Sequence, residues 1–183
     1  MVAYAYVSRH LDEVEQFVLA ESLIPGFGLE ELMNPATGGY WHFGFHVQIA
    51  IATVLTAGCE ADYLMPRYAM MSADPPAVGL AAQRFLPFYQ APGGVHAGSG
   101  IMRRYDDGHA NRAQFTGPLL MPLLVLSGER GIPQVQTLAC VEQVAAHIEH
   151  DLVPNAGHTF ANDNAEWTAE RLVRFFGHKG EAA

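Results

Sequence analysis

Charged residues are scarce in this sequence, and basic residues are fewer than acidic ones. Asp, Glu, Lys and Arg make up 16% of the 183 residues, with 10 basic against 19 acidic side chains and a formal net charge of −9 at pH 7. Nucleic acids and anionic membrane surfaces select basic patches, and the sequence has no cluster of Lys and Arg. We therefore expect neither a nucleic acid nor a membrane among the partners.

Cysteines and long apolar runs are also few. Cys59 and Cys140 are the only cysteines, too few for a disulfide framework, and no Cys-Xaa-Xaa-Cys pair is present to hold zinc. No run approaches the roughly 20 apolar residues that a membrane-spanning helix needs. The amino terminus lacks the positive region and the small-residue cleavage site of a signal peptide. These absences predict a soluble, cytoplasmic protein.

Two mainly apolar runs predict buried strands at residues 14–20 and 121–127, and residues 150–154 predict a third, short strand. Continuous apolar runs of this length suit parallel strands that are covered on both faces. Because helical patterns alternate with the runs, the fold class is predicted to be α/β with a doubly wound sheet.

Two helices are predicted to follow the second and third strands. The first carries apolar residues at spacings of three and four, at Val135, Leu138, Val141, Ala145 and Ile148. The second starts near Asp163 and is expected to bury Trp167, Leu172, Phe175 and Phe176.

The middle of the chain has a different pattern, with no clear strand between residues 30 and 115. Its helical stretches are interrupted by turn signals such as Gly58 and Pro75-Pro76. We interpret this region as a helical lid. The predicted organisation is therefore a start of the α/β core at residues 1–29, a lid at 30–115 and the rest of the core at 116–183.

Three local signatures resemble α/β-hydrolases of the epoxide-hydrolase branch. They are VLAES at residues 18–22 before a Pro-Gly turn, YWHFGF at residues 40–45 and Gly157-His158 after the last strand. The resemblance spans essentially the whole chain. It implies a partial α/β-hydrolase fold, consisting of the last three parallel strands with flanking helices and a helical lid.

The resemblance also implies a reaction and roles in it. In that family an Asp attacks the substrate and forms an ester, and a His oriented by an acid activates the water that hydrolyses the ester. By this resemblance His158 is the base and Glu21 is its acid, with Glu129 as the alternative acid at the end of another strand. The structural alternative is a buried histidine that caps the last strand.

The lid is expected to donate hydrogen bonds to the oxygen that develops charge when an epoxide opens. The resemblance assigns His42 to this role, with Trp41 and Phe43 beside it in the substrate site. A core histidine among aromatic side chains is the alternative for His42. The second donor is a tyrosine in the family, and here Tyr105 is expected to supply it, or else Tyr89.

The nucleophile of this reaction has no counterpart in the sequence. Neither His-Asp-Xaa-Gly nor Gly-Xaa-Ser-Xaa-Gly occurs, and His150-Asp151 enters a predicted strand without the glycine that a sharp turn needs. Residues 1–11 predict a helix without a capping residue ahead of it. We therefore expect that the nucleophile-bearing half of the protein is absent and that this chain alone does not turn over an epoxide.

Other sites are not predicted. His42 and His46 have helical spacing, but no third ligand is fixed nearby in the sequence, so no metal is expected. No phosphate loop or dinucleotide fingerprint is present, so no cofactor is expected either.

The leading functional hypothesis is therefore hydrolysis of an epoxide on a small apolar molecule by the intact protein. The alternative is a non-catalytic module that binds a ligand or partner, and a lesser one is a haloacid dehalogenase-like hydrolase. Residues 2–6 are uncharged, which disfavours the dehalogenase. The first strand lacks a neighbour on one side, so we expect a separate amino-terminal half or a homodimer partner.

Overall fold

A parallel three-stranded sheet forms the centre of the structure, a computed structural model that describes residues 2–102 and 107–177. The strands are Phe17–Ala20 (β1), Leu123–Gly128 (β2) and Ile148–Val153 (β3). They lie in the order β1-β2-β3, with Leu19 opposite Val125 and Ser127 opposite Leu152. Because all three run in the same direction, their carboxyl ends meet at one edge of the sheet.

The central strand β2 is buried along its whole length. Its side chains alternate between the two faces, so Leu123 and Val125 join one apolar cluster while Leu124 and Leu126 join another. This burial on both sides explains why the strand is a continuous apolar run in the sequence.

Four helices flank the sheet. They are Val2–Val7 (α1), Gln134–Val141 (α9), Phe160–Asp163 (α10) and Ala165–Gly177 (α11). Tyr4 of α1 and Val141 of α9 belong to the cluster on one face of β2, and Phe175 of α11 belongs to the cluster on the other.

The described residues between β1 and β2 form helices and turns, without a strand. The helices are Leu29–Leu32 (α2), Trp41–Val47 (α3), Ile49–Thr56 (α4), Glu60–Met71 (α5), Pro75–Gln90 (α6), Gly94–Met102 (α7) and Asp107–Ala113 (α8). Asp74 caps α6 by accepting a hydrogen bond from the Ala77 N–H, and Pro75 and Pro76 occupy the first turn, where no intrahelical N–H donor is needed. No helix of the described chain is long and apolar enough to cross a bilayer.

The helix after β2 is shorter than the sequence pattern predicts. It ends at Val141, because the backbone of Val144 and Ala146 forms hydrogen bonds with Leu119 instead of continuing the helix. The prediction that Ile148 lies on this helix is wrong, since Ile148 begins β3. Val135 is 72% exposed, because the buried face of α9 is formed by Thr137, Cys140 and Val141.

The last helix follows the prediction in part, since Trp167 and Leu172 are partly buried and pack against the cluster that contains Phe175. Phe175 is buried, whereas Phe176 is 50% exposed. Consecutive helical residues point about 100° apart, so only one of the two phenylalanines faces the sheet.

Candidate active site

Glu21 lies directly after β1 at the carboxyl edge of the sheet. Its backbone has a φ of 45°, a left-handed conformation that is uncommon for residues with a side chain and that concentrates at functional sites. The carboxylate is buried and accepts hydrogen bonds from the N–H groups of Gly128 at 2.7 Å and Ile132 at 2.9 Å. The loop after β2 therefore holds this carboxylate in place.

His158 follows β3 and meets Glu21 across the end of β2. Its Nδ1 lies 2.8 Å from Oε2 of Glu21, and its side chain is 43% exposed whereas that of Glu21 is 3% exposed. A carboxylate at Nδ1 favours the tautomer with a proton there, which leaves the lone pair of Nε2 free. The arrangement is an imidazole base that solvent can reach, oriented by a buried acid.

Two glycines allow this close approach. A Cβ atom on Gly131 would collide with the carboxylate of Glu21, and one on Gly128 would collide with the carbonyl oxygen of Gly157. Side chains at either position would therefore displace the acid or the loop that carries His158.

Glu129, the alternative acid, lies in a different environment. It is exposed, and its Oε2 accepts a hydrogen bond from the Asn155 N–H at 2.8 Å. Of the two glutamates, Glu21 is the one that contacts His158 in the described structure.

Asp163 of α10 joins the lid to the loop of His158. Its carboxylate accepts hydrogen bonds from Ser72 and Ala73 at the end of α5, and from Gly157 and Thr159 on either side of the histidine. Desolvation alone would raise the pKa of Asp163, but these hydrogen bonds outweigh it and lower the pKa below its usual value. The lid and the histidine loop are therefore fixed to the same carboxylate.

A cavity of about 220 Å³ lies between the lid and His158. Its polar lining consists of His158, Thr159, His46, Ser99, Glu60, Arg67, Tyr63, Tyr68 and Tyr89. The His158 N–H donates to the carbonyl oxygen of Met71 at 2.7 Å, and Met71 also lines the cavity. The histidine is thus held at the cavity wall by both its ring and its backbone.

His46 connects two other cavity side chains. Its Nε2 lies 2.8 Å from the Tyr63 hydroxyl and its Nδ1 lies 2.8 Å from the Ser99 hydroxyl. Burial, and next the positive charge of Arg67, lower the pKa of His46, while burial raises the pKa of Tyr63. At neutral pH the imidazole is therefore neutral and the phenol protonated.

His42 is buried on α3, one turn before His46, and its ring stacks on that of Phe43. Burial is the largest cause of its lowered pKa of about 3, and the charges of Arg67, His46 and His158 contribute. His42 is therefore near His158, but it does not line the cavity that the described residues form.

The other predicted substrate residues are placed differently. Trp41 is 58% exposed and Phe43 packs against the core, so neither lines the cavity, whereas Tyr89 does. Tyr105 lies outside the described residues. Tyr63 and Arg67 were not predicted as site residues from the sequence, although their spacing of four on α5 puts them on one helix face.

Two fragments match nucleophile motifs only in part, His150-Asp151 and Gly98-Ser99-Gly100, and both have other contacts. Asp151 lies within β3, and its carboxylate accepts a hydrogen bond from Arg171 at 2.5 Å. Ser99 lies within α7, is 1% exposed and contacts His46. The described residues contain no group of three or more His, Cys, Asp or Glu side chains that could hold a metal ion.

The fold matches solved structures over nearly the whole chain. Cfl2 from Burkholderia cenocepacia is 25% identical with a TM-score of 0.82, and the match covers 96% of this chain and 61% of that one. The Cif epoxide hydrolase from Acinetobacter nosocomialis is 22% identical with a TM-score of 0.83, covering 94% and 57%. ALR0039 from Nostoc sp PCC 7120, provisionally described as an α/β-hydrolase, is 21% identical with a TM-score of 0.87, covering 97% and 62%.

The predicted fold is confirmed by these matches. The chain has a partial α/β-hydrolase fold of the kind found in epoxide hydrolases, with three parallel strands, flanking helices and a helical lid. It spans about three fifths of the length of these solved chains. No family model and no curated protein matches the sequence.

Proposed function

We propose that this chain supplies the water-activating half of an epoxide hydrolase. The observation that carries the proposal is the contact of 2.8 Å between His158 and the buried carboxylate of Glu21, at the wall of a cavity roofed by lid helices. A solvent-accessible imidazole oriented by a buried acid suits general base catalysis. Epoxide hydrolases among the solved structures with this fold support the choice of substrate.

The proposed reaction has two steps. A carboxylate nucleophile forms a bond to an epoxide carbon, the carbon–oxygen bond of the ring breaks, and the released alkoxide takes a proton from a lid donor. Nε2 of His158 then takes a proton from water, and the resulting hydroxide attacks the ester carbonyl carbon. The ester bond breaks, and the leaving diol oxygen takes the proton of the imidazolium. The carboxylic acid that forms returns its proton to the deprotonated lid donor, which restores the carboxylate nucleophile. Glu21 stabilises the imidazolium that forms.

Two lid side chains are candidates for the donor. His42, the residue selected from the sequence, is neutral at physiological pH because its pKa is about 3, and a neutral imidazole still carries one N–H group. It does not line the cavity that the described residues form, so it could serve only if its N–H reaches the substrate from behind the cavity wall. Tyr63 is the second candidate, since its phenol lines the same cavity as His158 and keeps its proton.

The nucleophile of the first step belongs to a second polypeptide segment in this proposal. The 183 residues contain neither nucleophile motif, and β1 pairs only with β2 among the described strands. The carboxyl edge of the sheet, where Glu21 and His158 meet, is called the rim below. A strand added at the free edge of β1 would bring its own carboxyl end to this rim.

An activated ester tests the base without the missing nucleophile. The 183-residue chain is expected to hydrolyse 4-nitrophenyl acetate above the buffer rate and to leave a simple epoxide unchanged. His158→Ala should lower that rate about 10²-fold, since a general base usually contributes a factor of this size. The release of 4-nitrophenolate is followed by absorbance.

The control is His150→Ala, which removes an exposed histidine from β3. Its rate should equal that of the unaltered chain. Equal rates for the His158 and His150 variants would show that His158 is no more reactive than a surface imidazole, and the proposed base would then be rejected.

A ligand-binding module without catalysis is the second candidate, because the cavity is formed by this chain alone. Binding of a small ligand without any dependence of ester hydrolysis on His158 would favour it. The dehalogenase alternative would instead require release of halide from a haloacid.

A further inference from the structure

Arg67 is the one arginine that lines the cavity among the described residues. It lies on α5, one helical turn after Tyr63, and the same cavity is bordered by His158. The proposed hydrolysis gives this guanidinium no role.

Among the side chains that the structure describes, at residues 2–100 and 108–177, no carboxylate lies within ion-pair distance of Arg67. Glu60, the one acid on the cavity wall there, accepts a hydrogen bond from the Gly58 N–H at 3.1 Å. Arg171 is different, since it is held by both Asp151 and Glu149.

Among the described side chains, Arg67 is a cation without a paired anion. The side chain is partly buried, and burial lowers its pKa, whereas nearby Tyr63, Tyr68 and Tyr89 raise it. A desolvated guanidinium without a counter-charge is unfavourable, because a guanidinium stays charged at all ordinary pH values. Its field reaches the neighbouring histidines and lowers the pKa values of His42 and His46.

We propose that Arg67 is a subsite for a carboxylate group of the substrate. The planar guanidinium can donate two parallel hydrogen bonds to a carboxylate, which supplies the missing counter-charge. The inference rests on the proposed function, and it refines the substrate class to small epoxides that carry a carboxylate. Tyr63, Tyr68 and Tyr89 provide aromatic surface for the body of such a molecule.

The cavity size limits that body. At about 220 Å³ it is smaller than the roughly 300–1,000 Å³ of pockets for drug-sized ligands. A single aromatic ring beside the epoxide is therefore a suitable probe.

The test compares two molecules of the same shape, 3-phenyloxirane-2-carboxylate and its amide. Calorimetry with the full chain should give about tenfold tighter binding of the carboxylate, as expected for charge-assisted hydrogen bonds. Arg67→Gln should abolish the difference and Arg67→Lys should keep part of it. Arg84→Gln, which removes an exposed arginine from α6, should keep all of it.

A spectroscopic measurement covers the case in which Arg67→Gln does not fold. In the unaltered chain, the carboxylate should raise the pKa of His46 by partly cancelling the charge of Arg67, and the amide should not. Equal affinities, no binding of the carboxylate, or an unchanged His46 pKa on saturation would each overturn the subsite.

The subsite and the proposed hydrolysis can fail separately. 3-Phenylpropanoate has the carboxylate but no epoxide, so its binding tests the Arg67 subsite independently of any reaction at an epoxide. Binding that Arg67→Gln weakens would support the subsite even where His158→Ala leaves ester hydrolysis unchanged. The reverse pattern would overturn the subsite and leave the base in place.

Discussion

The rim of the sheet and the lid cavity differ in how completely their polar groups are paired. At the rim, the Glu21 carboxylate accepts three hydrogen bonds, from Gly128, Ile132 and His158. In the cavity, Arg67 has no acidic partner among the described residues, although Glu60 lies on the same wall. Among the described residues, therefore, the Glu21 carboxylate is fully paired, whereas the Arg67 guanidinium lacks the anion that the proposed substrate carboxylate would supply.

Replacing the acid should produce the largest effect, because the rim is fully paired. Glu21→Gln puts an amide NH₂ where the carboxylate accepted hydrogen bonds, so at least one buried donor loses its partner. We expect the free energy of unfolding to fall by about 3 kcal/mol, the size found when a buried pair is broken. Urea unfolding measures the change.

Glu129→Gln is the matched control for this experiment. Glu129 is exposed, so the free energy of unfolding should change by less than about 1 kcal/mol. Similar losses in both variants would contradict the contrast between a paired rim and its surroundings.

Weakening the contact between the rim and the lid should lower the free energy of unfolding by an intermediate amount. Asp163→Asn replaces a charged acceptor that Ser72, Ala73, Gly157 and Thr159 share, and we expect a loss of about 2 kcal/mol at pH 7. Asp62→Asn, on the exposed side of α5, is the control and should change little.

The effect of Asp163 also has a defined pH dependence. Its pKa is lower in the folded protein than in the unfolded chain, so the carboxylate stabilises the fold above its unfolded pKa, which is roughly 4. That contribution is lost as the pH falls through the lowered folded value. The difference in unfolding free energy between the unaltered chain and Asp163→Asn should therefore shrink at acid pH. A difference that grows there would contradict the lowered pKa.

The rim was more predictable from the sequence than the cavity, for a physical reason. Parallel strands bring their carboxyl ends to one edge, so the residues after β1 and β3 meet whatever the details of packing. Glu21 and His158 follow directly from this rule. Even so, the choice between Glu21 and Glu129 depended on how the loop after β2 folds back, which no local pattern specifies.

No comparable rule predicts which side chains of the lid helices meet. The cavity wall depends on how α3, α5 and α7 rotate against one another, and His46 faces the cavity because its ring meets Tyr63 and Ser99. The spacing of His42 and His46 was visible in the sequence, but it could not show which of the two would line a cavity. Similarly, α9 ends early because of backbone hydrogen bonds to Leu119, a residue outside the helix.

The smallest effect should come from removing the charge in the cavity. Without ligand, Arg67→Gln should raise the pKa values of His46 and His42, because the positive charge of Arg67 contributes to lowering both. The values should remain below 6.5, since burial is the larger cause in each case and the mutation leaves burial in place. Titration of the imidazole signals by NMR measures this, with Arg84→Gln as the control that shifts neither histidine. Unchanged pKa values in Arg67→Gln would mean that the guanidinium already has a counter-charge, and the contrast between cavity and rim would no longer hold.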